Sequence, residues 1–150
     1  MKIVKLKAIY SREIVQTAKI LSKWFTKQAI TNIKRACNKQ NGFVALDNNK
    51  IVGFLLYRKW KETAIITWMG ILPNYQGEGI GRNLLKSLEN KLKKYGVRKL
   101  KVSTLAPTTK YKPYEKTRKF YLKTGFKKYK IDKKFYPDGS DRLVLLKIVS

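Results

Sequence analysis

Histidine is absent from this 150-residue chain, and cysteine occurs once, at Cys37. The first absence removes a Ser–His–Asp triad, a Cys–His dyad and any histidine-ligated zinc site. The second removes an intramolecular disulfide. Carboxylates are scarce too: nine against 35 lysines and arginines, for a net charge of +26. No apolar run reaches the roughly 18 residues that suggest a membrane span. The opening segment MKIVKLKAIYSRE lacks the long apolar stretch of a secretory signal. These absences predict a protein with no metal centre and no membrane association, kept in a reducing cytoplasm.

Hydrophobic residues make up 43% of the chain, more than a disordered chain of this charge would carry. The length suits one domain over residues 1–150 with no linker. The positive charge has two readings that both stand at this point. It attracts polyanions, or it reflects the Lys-, Ile-, Asn- and Tyr-rich usage of an AT-rich genome.

Residues 2–9 alternate lysine with apolar side chains, which predicts a strand. Ser11 offers an N-cap, and Ile14, Val15, Ala18, Leu21, Trp24 and Phe25 form an apolar stripe at helical spacing. A second helix is expected over about 26–38. Strands at 43–46 and 51–60 flank Asp47-Asn48-Asn49-Lys50, a hairpin turn. Lys61-Glu62 turns the chain into TAIITWMGIL (63–72), apolar on both faces and therefore expected to be a central, covered strand ended by Pro73. A helix follows on Ile80, Leu84, Leu85, Leu88 and Leu92, closed near Gly96. Then come a strand at 98–104, a basic loop at 107–113 and a helix at 114–124 closed by Gly125. Two strands at 126–135 and 142–149 complete the chain, joined through Pro137-Asp138-Gly139-Ser140. The order predicts an α/β fold with a mixed, mostly antiparallel central sheet and flanking helices.

The segment ILPNYQGEGIGRNLL carries the functional signal. A strand runs into a turn with glycines at 77, 79 and 81, and an amphipathic helix starts there. Glycines let backbone N–H groups converge on a ligand, and a helix N-terminus adds unpaired donors and positive dipole character. Such a turn suits a diphosphate, with Arg82 as an added cation. The P-loop pattern is missing, and the run G-E-G-I-G-R fails the last glycine of the dinucleotide fingerprint.

Gln76-x-x-Gly79-x-Gly81 after a strand-ending proline resembles the GNAT N-acetyltransferase superfamily, whose signature is Arg or Gln, then x-x-Gly-x-Gly or Ala. A second, separate motif agrees: Phe120, Tyr121, Gly125 and Phe126 match the family's late aromatic pair followed by Gly-Phe. The resemblance covers about residues 43–149. It implies acetyl-CoA as co-substrate and an amine as acceptor. By resemblance the N–H groups of Gln76, Gly77, Glu78, Gly79, Ile80, Gly81 and Arg82 hold the pyrophosphate. The backbone of Ile71 pairs with the pantetheine arm, and the N–H of Met69 polarises the thioester carbonyl. Tyr121 donates a proton to the departing sulfur. Family members are often dimers, so a homodimer is a further expectation by resemblance.

Two departures from the family pattern matter. The strand before the turn carries Ile65, Thr67 and Trp68 where many relatives place a carboxylate base, and Tyr114 stands where relatives often have Asn. No general base is therefore assigned. Thr67 is considered as the holder of a proton-carrying water, and Glu62 as a turn residue. The charge favours an acidic protein or an RNA-linked aminoacyl group over a polyamine as acceptor. Two alternatives are kept: a basic nucleic-acid-binding module without chemistry, and a coenzyme A-binding family member without transfer activity.

Overall fold

A computed structural model describes residues 1–149. They form seven strands and four α-helices in a mixed, mostly antiparallel α/β arrangement. The chain divides into two units, Met1–Arg58 with Ile66–Gly96, and Lys59–Ile65 with Val97 onward.

The first unit contains β1 (Lys2–Lys5), α1 (Ser11–Ile20), α2 (Lys27–Lys39), β2 (Asn41–Asp47), α3 (Ile80–Lys93) and most of β3 (Lys50–Trp60) and β4 (Thr63–Ile71). Its strands lie in the order β1-β2-β3-β4. The stripe read from the sequence packs as expected. Ile14, Ala18, Leu21 and Phe25 join Ile33, Ala36 and Cys37 over Val44, Leu46, Phe54 and Leu56 of the sheet. On the opposite face α3 buries Leu84, Leu85, Leu88 and Leu92, and Lys91 lies over the Phe43 ring. Covering on both faces explains why β2 and the first half of β3 are buried residue after residue.

Local chemistry sets the connections. Asn48 and Asn49 take φ values of 51° and 62°, the left-handed pair a two-residue hairpin turn needs. Thr26 caps α2 by accepting the Ala29 N–H. Ser11 is the first helical residue of α1 and not its N-cap, which is Tyr10 without a side-chain bond. Glu13 instead reaches outward, and its carboxylate accepts the Ile51 N–H at 2.6 Å.

The second unit contains β5 (Lys99–Leu105), α4 (Lys112–Lys123), β6 (Lys127–Asp132) and β7 (Arg142–Ile148). The strand order is β5-β7-β6, antiparallel throughout. Leu100, Val102, Leu143 and Leu145 are buried. The Glu62 carbonyl accepts the N–H groups of Arg98 and Lys99, tying the Lys61–Glu62 turn to the start of β5. Gly125, at φ 103°, ends the helical segment as expected.

The candidate acetyl-donor site

β4 delivers the chain to the glycine turn. It is less covered than its apolar sequence predicts: Ala64 and Ile66 are buried, whereas Thr67, Trp68, Met69, Gly70 and Ile71 are only half-buried. Gly70 is required here by packing, because a Cβ would come within 2.7 Å of Leu21 Cδ1 and 3.0 Å of the Phe54 ring. The Leu72 N–H bonds the Val52 carbonyl and carries the strand's ladder one residue further. Pro73 then opens a 3-10 turn through Tyr75. The Tyr75 hydroxyl donates to Asp47 at 2.8 Å, anchoring this turn to the β2–β3 hairpin.

Three features define the turn itself. The Gln76 side chain donates from Nε2 to the Ile71 carbonyl at 2.9 Å, closing the loop back on the end of β4. Gly77 and Gly79 adopt φ values of 80° and 86°, and nothing lies within 4 Å of where a Cβ would stand on either. These glycines are therefore needed for backbone conformation and leave open space beside the main chain. Finally, α3 starts at Ile80 with Gly79 as N-cap, no side-chain cap and no acid in its first turn. Its first intrahelical bond runs from Asn83 N–H to the Gly79 carbonyl. The N–H groups of Ile80, Gly81 and Arg82 precede that bond, and helix geometry leaves such donors without intrahelical partners. Arg82 is exposed. Open space, left-handed glycines and an uncapped helix start suit a bound diphosphate. Glu78 is exposed in the same turn, so its N–H serves this role only with the carboxylate turned to solvent.

Thr67 is differently placed from the sequence expectation. Its hydroxyl lies within bonding distance of two acceptors, Gln40 Oε1 and the Leu56 carbonyl at 3.2 Å. One hydroxyl proton is thus already claimed twice over, which fits a tie between β4, β3 and the end of α2 better than a water holder. Gln40 gives no signal of this in the sequence. Cys37 is buried, and burial pushes its thiol upward, so it is protonated at neutral pH.

In the second unit Tyr121 is 5% exposed and packs edge-on between Phe120 and Phe126, at 5.3 and 5.4 Å between ring centroids. Burial drives its phenol well above the ordinary range, which keeps the hydroxyl protonated. Burial also pushes Tyr114, two turns earlier on the same face of α4, up to about 12. Arg118 of α4 donates to the Leu105 carbonyl at 2.8 Å and so braces the end of β5. Among the described residues no group of three His, Cys, Asp or Glu converges as a metal site. Among them, too, no helix is long and apolar enough to cross a membrane.

The sequence profile described as "Acetyltransferase (GNAT) domain" matches residues 38–128, a stretch that takes in this strand, the glycine turn and the helix start. The chain belongs to the GNAT acetyltransferase family. It is 34% identical over 95 residues to the [ribosomal protein bS18]-alanine N-acetyltransferase of Haemophilus influenzae, an alignment spanning 63% of this chain and 60% of that protein. In structure it is similar to a GNAT-family acetyltransferase from Desulfovibrio desulfuricans, with a TM-score of 0.87 at 19% identity, covering 99% of this chain and 100% of the other. The PaiA N-acetyltransferase of Thermoplasma acidophilum, solved in complex with coenzyme A, matches at a TM-score of 0.76 and 20% identity over 99% of both chains.

Proposed function

We propose that this chain is a cytoplasmic acetyl-CoA-dependent N-acetyltransferase whose acceptor is the α-amine of a protein N-terminus. The observation that carries the coenzyme part is the pair of left-handed glycines, open beside the main chain, that leads into an uncapped helix start. Amides between Gly77 and Arg82 hold the pyrophosphate. The half-buried stretch from Thr67 to Ile71 leaves strand surface for the pantetheine arm to lie along. A strand apolar in sequence yet half-open in the fold has surface left for a ligand to cover. The coenzyme supplies an activated acetyl thioester. The Met69 N–H donates to the carbonyl oxygen as negative charge gathers on it. The Tyr121 phenol, kept protonated by burial, donates to the leaving sulfur.

The acceptor follows from what β4 lacks. Its sequence TAIITWMGI contains no carboxylate, and the Thr67 hydroxyl is engaged. A lysine side chain near pKa 10.4 is neutral in only about one molecule in 800 at pH 7.5, whereas an α-amine near 7.8 is neutral in about one in three. The α-amine therefore needs little help to lose its proton, a saving of about 3 kcal/mol over a lysine. The bS18-alanine N-acetyltransferase relative supports the same acceptor class.

The test compares two short peptides of one sequence, one with a free N-terminus and no lysine, the other N-terminally blocked with one lysine. Free coenzyme A thiol is followed at several pH values. The free α-amine should react at least 100-fold faster near pH 7.5, with kcat/KM levelling off above about pH 8. Preference for the lysine peptide overturns the acceptor assignment. Failure to bind acetyl-CoA overturns the coenzyme assignment separately.

A further inference from the structure

The β6–β7 hairpin carries features that the roles assigned above do not use. Residues 127–134, KKYKIDKK, hold five lysines against one aspartate. β6 is the end strand of the β5-β7-β6 order, and its residues from Lys127 to Ile131 are all exposed. The register shifts between Lys128 and Lys130, so Tyr129 is the extra residue of a bulge. It stands 64% exposed. A bulge with flanking lysines also blunts an edge strand against pairing with other chains. That reading accounts for the lysines and the bulge, but it gives no reason to put a tyrosine at so exposed a position.

A second exposed aromatic lies on a built platform. The Phe135 ring carries the Arg142 guanidinium 3.6 Å from its centroid, with the Tyr136 ring edge-on at 5.2 Å. Arg142 is fixed in turn by Asp132 on β6. About half of Phe135 stays open to solvent. The hairpin's three carboxylates are all committed to holding it together. Asp132 is taken by Arg142 and Lys130, and Asp138 by Ser140. Asp141 accepts from the Lys134 N–H and the Thr108 hydroxyl, with Lys133 nearby at 3.8 Å. Among the described residues no ion pair engages Lys127 or Lys128, which project from opposite faces of the strand at the pairs Lys127↔Leu146 and Lys128↔Leu145.

We propose that the β6–β7 hairpin binds a single-stranded nucleic acid, with Tyr129 and Phe135 stacking on bases and Lys127 and Lys128 meeting phosphates. Exposed aromatic faces beside uncompensated cations match that ligand's two components, its bases and its backbone. An acidic peptide would use the lysines and leave the aromatics idle. This inference does not rest on the acetyl-transfer reading, because the residues are separate from those assigned to it.

Fluorescence anisotropy of a labelled oligouridine of about 12 nucleotides tests it on the full chain. Oligothymidine, a duplex of the same length and polyglutamate serve as competitors. Single strands should compete at least tenfold better than duplex or polyglutamate at equal charge. Tyr129→Ser should weaken binding about tenfold, and Tyr129→Trp should restore it. Lys127→Gln with Lys128→Gln should flatten the dependence of log affinity on log salt by about 1.4. All these positions are exposed, and matched circular dichroism spectra establish that the variants fold. Polyglutamate competing as well as oligouridine, unchanged affinity in Tyr129→Ser, or no binding at about 50 mM salt each overturns the proposal.

Discussion

Replacing Gly79 by alanine, with Gly96 to alanine as its control, separates conformational strain from ligand contact. Both glycines sit in the left-handed region, at φ 86° and 69°, and neither has a heavy atom within 4 Å of a built Cβ. The cost to the fold is therefore conformational alone and equal at the two sites, about 1 kcal/mol each. For a chain of this size that lowers Tm by about 3–4 °C. The ligand breaks the symmetry. At position 79 a methyl group enters the space beside the amides, and any relief of strain re-aims those amides. Losing one charge-assisted hydrogen bond to a phosphate costs about 1.5–3 kcal/mol, which raises the Kd for acetyl-CoA roughly 10- to 100-fold. Gly96 lies beyond the far end of α3, so its variant should bind as the parent does. Thermal denaturation and calorimetric titration read the two quantities on the same samples. Equal loss of affinity in both variants, or a Gly79→Ala protein within twofold of the parent, refutes the assignment of the turn to the diphosphate.

Tyr121→Phe keeps the edge-on packing with Phe120 and Phe126, so acetyl-CoA affinity should hold while kcat falls about 100-fold; an unchanged kcat returns Tyr121 to a purely packing role. Thr67→Val should lose about 1 kcal/mol of stability with its tie to Leu56 and Gln40, and kcat should stay within about threefold; a larger fall shows that the hydroxyl handles the acceptor proton. Stability should decline on alkaline titration. Tyr114 and Tyr121 have phenols raised by burial in the fold, so above about pH 10 the unfolded chain releases protons that the folded chain retains. Their contribution is complete below pH 10 and is lost as pH climbs through the folded values, by up to about 1.4 kcal/mol per pH unit for each group. Urea midpoints that do not move between pH 9.5 and about 11.5 contradict this.

The fold was legible wherever a local pattern had a partner of matching length. The alternation of residues 2–9 reads as a strand throughout, yet β1 stops at Lys5. It pairs Lys2–Lys5 with Leu46–Phe43, Leu6 N–H takes the Gly42 carbonyl, and beyond Asn41 the partner strand has ended. The pattern persists, but the ladder does not. α4 begins at Lys112, earlier than residue 114, because Pro113 in the first turn breaks no hydrogen bond. β6 ends at Asp132, short of Phe135, where Lys134 turns to a φ of 49° and its N–H goes to the Asp141 side chain. Bonds of that kind are invisible to periodicity. So are Glu13 to Ile51 and Tyr75 to Asp47, which join residues 38 and 28 positions apart.

The candidate site shows the same division between what a residue is and what it does. The motif points to Gln76 as part of the coenzyme-binding stretch, and the fold gives it a definite role, because its amide donates to the Ile71 carbonyl and closes the turn on the end of β4. That role needs a side-chain N–H donor of moderate reach and nothing more. It gives a physical reason why the family signature resembled here accepts either Arg or Gln at this position, since both carry such donors. A contact with phosphate would favour the charged one. Under the proposed function Gln76 is thus a positioning residue, acting on the coenzyme through the backbone it steadies. Gln76→Glu then becomes a sharper probe than Gln76→Ala. It retains size but replaces the donor with a second acceptor facing a carbonyl oxygen, so it should loosen the turn and weaken acetyl-CoA binding. Gln76→Arg should keep both within about twofold of the parent.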